Sequence, residues 1–249
     1  MDRSKRYTDY NSYLRGLFGE RVQKIAVDAG LTCPNRDGSL SNEGCIYCNA
    51  KGSGTGAFGR GMGIREQIEA GKIPMMKKYK AKKFLAYFQS FTNTYTSVEN
   101  MREMYDAAFS CEGVVGMAVG TRPDCVDEHK LDLIGSYAQK YLVWLEYGLQ
   151  SVHDTTLAFI NRGHTLKDFE NAVANDPGKG YPDLRPCDPG AARRNPGHDA
   201  GHGPVSGRIR YSRSQDPPAV CDQRHAAGPA VSGGRLSAHD TAGICGNRV

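Results

Sequence analysis

Apolar residues along the first 176 positions form two kinds of run that alternate. Short continuous runs read as strands buried on both faces: Lys24 to Ala29 (KIAVDA), Phe84 to Phe91 (FLAYFQSF), Gly113 to Val119 (GVVGMAV) and Tyr141 to Tyr147 (YLVWLEY). Between them, apolar residues recur at helical spacing. Gly63 to Ala70 reads as a helix that exits through a basic stretch. Ser97 to Phe109 opens on a capping serine and sets Met101, Met104, Tyr105 and Ala108 on one face. Asp127 to Lys140 sets Leu131, Leu133, Ile134 and Tyr137 on a helical face, and Thr165 to Ala174 is a helix with a threonine cap. Strands that alternate with helices and lack a polar face predict an α/β fold: a parallel sheet covered by helices, with four βα units.

In such a sheet, chemistry collects where the C-terminal strand ends meet their loops. Every strand here runs into a polar cluster. The first gives a cysteine loop, the second Gln89, Ser90 and TNTY, the third GTRPDC (Gly120 to Cys125). The fourth carries Glu146 within it and ends in GLQS (Gly148 to Ser151). All four clusters are expected on one rim.

Composition divides the chain at about residue 176. From Pro177 onward the 73 residues hold nine of the twelve prolines and no Phe, Trp, Met or Glu. Leu, Ile and Val total eight there, well under the ~20% a core-forming chain needs. Residues 1–176 are expected to be globular, and 177–249 a low-complexity, disordered tail. A net charge of +5 is mildly basic and compatible with a nucleic-acid partner. No apolar run approaches the roughly 18 residues of a membrane span, and the N-terminus lacks the apolar core of a secretory signal. A cytoplasmic, reducing location is expected, where clustered thiols point to metal or catalysis rather than to disulfides.

Gly30 to Ala50 reads GLTCPNRDGSLSNEGCIYCNA and holds Cys33, Cys45 and Cys48. The loop is too polar to bury three unrelated thiols, and Cys45 and Cys48 have metal-ligand spacing. A three-thiolate site leaves one metal position open, as in an iron–sulfur cubane with one iron free for a substrate or cofactor. Zinc is the rival reading. A closed zinc site needs a fourth ligand; no histidine precedes His129, and Cys111 or Cys125 would have to serve.

The chain resembles the radical S-adenosylmethionine (SAM) enzymes, in particular the YhcC/YtqA-like group related to the catalytic subunit of Elongator. CPNRDG (Cys33 to Gly38) followed by GCIYC (Gly44 to Cys48) is similar to that group's cluster loop. Eleven residues separate the first two cysteines, against three in the commonest radical SAM pattern, and the longer gap is that of the YhcC and Elongator-like branches. YFQSFTNTY (Tyr87 to Tyr95), GTRPDC and LEYGLQS (Leu145 to Ser151) are also similar to the group. The resemblance implies a (β/α) TIM-type barrel in which Cys33, Cys45 and Cys48 bind three irons of a [4Fe–4S] cluster, and the fourth iron chelates SAM. It places Tyr47 beside the adenine and Gln89 and Ser90 near the methionine moiety. Gln150 and Arg162 resemble a SAM-contacting pair, and Glu146 is a further candidate. Some relatives carry Glu at the position of Gly120. The implied chemistry is one-electron cleavage of the sulfonium to a 5′-deoxyadenosyl radical, fed by an electron donor such as flavodoxin or ferredoxin. The implied substrate is a tRNA wobble uridine; the alternatives are a small molecule, or a zinc-stabilised RNA-binding module without catalysis.

A full core of this family has six βα units, and four are visible. A one-base shift in a back-translated gene near Tyr181 permits two apolar runs in the places of the fifth and sixth strands. Residues from about 177 are therefore expected to be a frameshift product, with a genuine disordered tail as the alternative. A frameshifted chain would have an exposed sheet edge and little activity. Ordinary structural readings compete at each site residue. Gln150 or Ser151 could cap a helix, Arg162 could be a surface charge, and KKYKAKK (Lys77 to Lys83) reads as a solvated basic turn rather than an RNA contact. Glu146 in an apolar strand needs a partner or a function. Trp144, Met101 and Met104 read as core.

Overall fold

The computed structural model describes residues 9–55, 61–175 and 205–211. Helix α1 (Tyr10–Phe18) precedes strand β1 (Val22–Val27), and α2 (Ile64–Tyr79) leads to β2 (Lys83–Phe88). Helix α3 (Val98–Phe109), β3 (Val114–Thr121), α4 (Glu128–Ala138) and β4 (Leu142–Gln150) follow, with a single 3-10 turn at Pro123–Cys125. Helices α5 (Asp154–Phe159) and α6 (Leu166–Ala174) complete the continuous part, and β5 (Val205–Tyr211) is a separate strand. The sheet runs β1-β2-β3-β4-β5, the first four strands parallel and β5 antiparallel to β4. Strand order follows chain order without reversal.

Both faces of the sheet are apolar, as continuous strand runs require. One face packs Phe84, Ala86 and Phe88 of β2 and Val143, Leu145 and Tyr147 of β4 against Met101, Tyr105, Leu131, Ile134 and Phe169 from α3, α4 and α6. The other packs Leu85, Ala118, Leu142 and Trp144 against Leu14 of α1. Asp9, Ser97, Asp127 and Thr165 cap α1, α3, α4 and α6, each accepting a backbone N–H three residues on.

The structure departs from the sequence reading in three places. Helix α2 does not exit at Ala70. It continues through Pro74 and the lysines to Tyr79, and ends on Lys80 in the left-handed region. Helices α1 and α5 were not expected. The first has only nine residues and the second six, too short for periodicity to distinguish from loop. Most of the segment from residue 177 lies outside the described residues, but β5 belongs to it, where no strand is expected. Its sequence VSGRIRY does alternate in period two, and its backbone pairs with β4 from Val143 to Gln150. That edge of β4 is thus paired.

Candidate functional site

The four polar clusters meet at the C-terminal rim of the parallel strands. The backbone ties them: Thr92 N–H donates to the Thr32 carbonyl, Phe91 N–H to Gly52, and Asn93 N–H to Gly120. The buried Asn93 amide also donates to the Phe88 and Gly120 carbonyls at 3.0 and 2.9 Å. Thr94 and Thr121 share a hydroxyl hydrogen bond of 2.6 Å. Five non-glycine residues among those described have positive φ, and four of them, Ser53, Phe91, Gln150 and Asn161, belong to this rim. Left-handed backbone of this kind costs on the order of 1 kcal/mol per residue and gathers at functional sites. That marks the rim independently of any resemblance.

The cysteine loop is held from two sides. From within, the Arg36 guanidinium donates to the carbonyls of Cys48 and Asn49, both at 2.8 Å. From outside, the turn after α5 clamps it: Ile46 N–H donates to the Ile160 carbonyl, and the Asn161 amide donates to the Gly44 carbonyl at 2.8 Å. Asn35 returns the contact, donating to the carbonyls of Asn161 and Arg162 at 2.7 and 2.9 Å. Gly163 makes this close approach possible. Its φ is +74°, and a Cβ there would stand 2.5 Å from Asn35 Oδ1.

All three cysteines are free thiols; Cys33 and Cys45 are buried and Cys48 is half-buried. Cys45 Sγ receives N–H donors from Asn35 (3.4 Å) and Arg162 (3.6 Å). Desolvation pushes the Cys45 thiol up, but the hydrogen bond and charge of Arg162, with Tyr47 and Asn35, outweigh it and lower its pKa. The loop therefore favours thiolate at this position, the form that binds metal. Cys48 Sγ faces Ser53 Oγ at 3.6 Å. Tyr47 is 48% exposed; burial of its hydroxyl end pushes its phenol up, against the charge of Arg162. Among the described residues no three His, Cys, Asp or Glu side chains converge as a single-ion site requires. A cubane makes no such demand, because each thiolate binds its own iron.

Gln89 donates to the Ser53 carbonyl at 3.1 Å, and Ser90 is buried beneath Gly54. Both lie against the cysteine loop. Gln150 ends β4 at the rim with φ +75°. Arg162 is only 8% exposed, so it is not a surface charge. Its guanidinium donates to the Gly148 carbonyl (2.7 Å from Nη2), His164 Nε2 (2.9 Å) and Cys45 Sγ. It joins the end of β4 to the cysteine loop. Glu146 lies on the α1 side of the sheet, where it pairs with Lys24 at 3.2 Å and accepts from Tyr87 Oη at 3.0 Å. Lys77 to Lys83 close α2 and enter β2 at the opposite end of the strands, about 20 Å from the rim by strand rise.

Sequence reasoning missed Asn35, Asn161, Arg122 and His164. Asn35 sits inside CPNRDG, Arg122 inside GTRPDC, and Asn161 and His164 within two residues of Arg162, so the sequence set them close by without revealing their contacts. Arg122 is 1% exposed and forks onto Asp124 (2.9 and 2.7 Å) while donating to the Arg162 carbonyl at 2.7 Å.

His164 is buried and accepts from Arg162 Nε through Nε2, so its proton sits on Nδ1, facing the Thr165 carbonyl at 3.3 Å. Burial, and then the adjacent Arg162 charge, depress its pKa from 6.5 to about 4. Between these values the unfolded chain binds a proton that the folded one refuses. Stability therefore falls as pH drops from 6.5 towards 4 and is unaffected by this group above 6.5, with roughly 3 kcal/mol at stake. His164→Gln is expected to flatten this part of the urea-midpoint profile; an unchanged slope would assign the acid loss to other groups.

No family model matches the chain. It is 40% identical over 169 residues to the uncharacterized protein YtqA of Bacillus subtilis, covering 68% of this chain and 52% of that protein. It is 42% identical over 174 residues to protein YhcC of Escherichia coli, covering 70% and 55%. A protein of Methanocaldococcus jannaschii is 36% identical over 170 residues, covering 67% and 51%. The chain spans about half the length of the curated relatives it matches, and the matched stretch is about as long as the segment before Pro177.

Proposed function

We propose that the chain is a radical SAM protein in which Cys33, Cys45 and Cys48 hold a [4Fe–4S] cluster at the sheet rim. The observation that carries this reading is the cysteine loop itself. Three free thiols stand in one loop at the C-terminal strand ends, and buried N–H donors stabilise thiolate at Cys45. The unreversed strand order, with α2, α3, α4 and α6 against one face, supports a partial (β/α) barrel. The donor set fits the cluster: three soft thiolates in one loop with a half-exposed aromatic, Tyr47, between the last two. When bound, cluster and SAM supply one-electron cleavage of the sulfonium carbon–sulfur bond.

The chain's own residues then bind, orient and exclude water. Tyr47 offers a ring face to the adenine; Gln89, Ser90 and Gln150 offer polar groups to the amino-acid end. Arg162 positions the loop from behind, and Glu146 is held by Lys24 and Tyr87 on the α1 side of the sheet. Gln150→Ala is expected to weaken SAM binding about tenfold, the loss of one hydrogen bond to a charged group, while iron content stays the same. Loss of iron in that variant would show that Gln150 acts through folding.

The substrate we propose is a tRNA wobble uridine. The motifs shared with the YhcC and Elongator-like branches and the net charge of +5 support it. Saturable tRNA binding that weakens steeply with salt is the expected result; salt-independent or absent binding would favour a small-molecule substrate.

A further inference from the structure

Of the three cysteine sulfurs, Cys45 alone receives side-chain N–H donors among the described residues. Asn35 and Arg162, the two donors, are 1% and 8% exposed. Neither donor is free to turn away. The Asn35 amide nitrogen is surrounded by three acceptors, Cys45 Sγ and the carbonyls of Asn161 and Arg162. Exchanging its oxygen and nitrogen would set an oxygen against all three, so the chemistry fixes the amide's orientation. Arg162 Nε and Nη2 are anchored on the Gly148 carbonyl and His164. Cys48, by contrast, meets a hydroxyl and a carbonyl on the solvent side.

Hydrogen bonds and positive charge at a ligating sulfur stabilise the more negative, reduced form of an iron–sulfur cluster. We infer that Asn35 and Arg162 are positioning residues that raise the reduction potential of the cluster through the Cys45 sulfur. The inference rests on the cluster reading above. Asn35 acts only through its amide dipole, whereas Arg162 adds a full charge. Arg36 is the natural contrast: it holds the same loop through two backbone carbonyls and reaches no sulfur.

The test is a mediated redox titration of the anaerobically reconstituted full chain, followed by the electron paramagnetic resonance of the reduced cluster. Asn35→Ala is expected to retain iron and to shift the midpoint to more negative potential. At the potential where the unmutated protein is half reduced, its reduced-to-oxidised ratio should fall about fivefold, the net worth of one ordinary hydrogen bond. Arg162→Lys, which keeps the charge but loses the fork, should shift in the same direction. Arg36→Ala should lower iron yield with no change in midpoint, because a merely structural role does not move the potential. If Asn35→Ala does not hold iron, Arg162→Lys decides alone. Equal midpoints in the unmutated and donor variants would overturn this inference and leave the cluster assignment standing. Failure of the unmutated chain to assemble any cluster would overturn both.

Discussion

Cys45→Ala is expected to leave the chain without bound iron after anaerobic reconstitution with ferrous iron and sulfide, while Cys111→Ala retains it. Cys45 lies in the loop clamped by Arg36 and the turn after α5, with its sulfur held towards thiolate by Arg162. Removing it reduces a three-thiolate set to two, and the donors aimed at it lose their acceptor. Cys111 is equally buried but sits in the core after α3, with Sγ 3.6 Å from the Ala107 carbonyl and a pKa raised by burial. It behaves as a small apolar residue. Cys187 lies outside the described residues and outside the cysteine loop, and Cys187→Ala serves as a second control. Iron and acid-labile sulfide per chain are the readout. Equal iron in the Cys45 and Cys111 variants would remove the cluster from this loop.

The second large effect is on stability. Arg122→Ala is expected to destabilise the fold by about 3 kcal/mol, because it strips both charged hydrogen bonds from the part-buried Asp124 carboxylate. Burial opposes the Arg122 charge, yet the fork onto Asp124 reverses this and holds the guanidinium charged. The same side chain donates to the Arg162 carbonyl, so its loss also loosens the turn that clamps the cysteine loop. For a domain of this size the melting midpoint should drop by roughly 10 °C. Arg122→Lys should recover part of this, since it restores charge but not the planar fork. A midpoint unchanged in the alanine variant would mean that Asp124 is solvated when unpaired.

Much of this architecture is legible in the sequence, because the strands announce themselves by unbroken apolarity. Four parallel strands, the caps at Ser97 and Thr165, and the meeting of four polar clusters at one rim follow from pattern alone. What the sequence conceals is which polar residue faces which. Arg162 and an ordinary surface arginine look alike in a string, and only the fold brings its guanidinium to Gly148 and Cys45. Glu146 demands a partner by its setting, but Lys24, 122 positions away, can be found only through strand register. Helix α2 is misjudged because Pro74 and a lysine run look like an exit; tertiary packing carries the helix through both. Strand β5 is missed because one alternating heptapeptide is a weak signal inside a Pro- and Gly-rich background.

The central claim is that the cysteine loop holds a redox-active cluster that binds SAM. Its most direct test is the electron paramagnetic resonance spectrum of the anaerobically reconstituted, dithionite-reduced protein, recorded with and without SAM. The account predicts a reduced-cluster signal that changes shape when SAM is added. A colourless protein that carries stoichiometric zinc and gives no signal would contradict it.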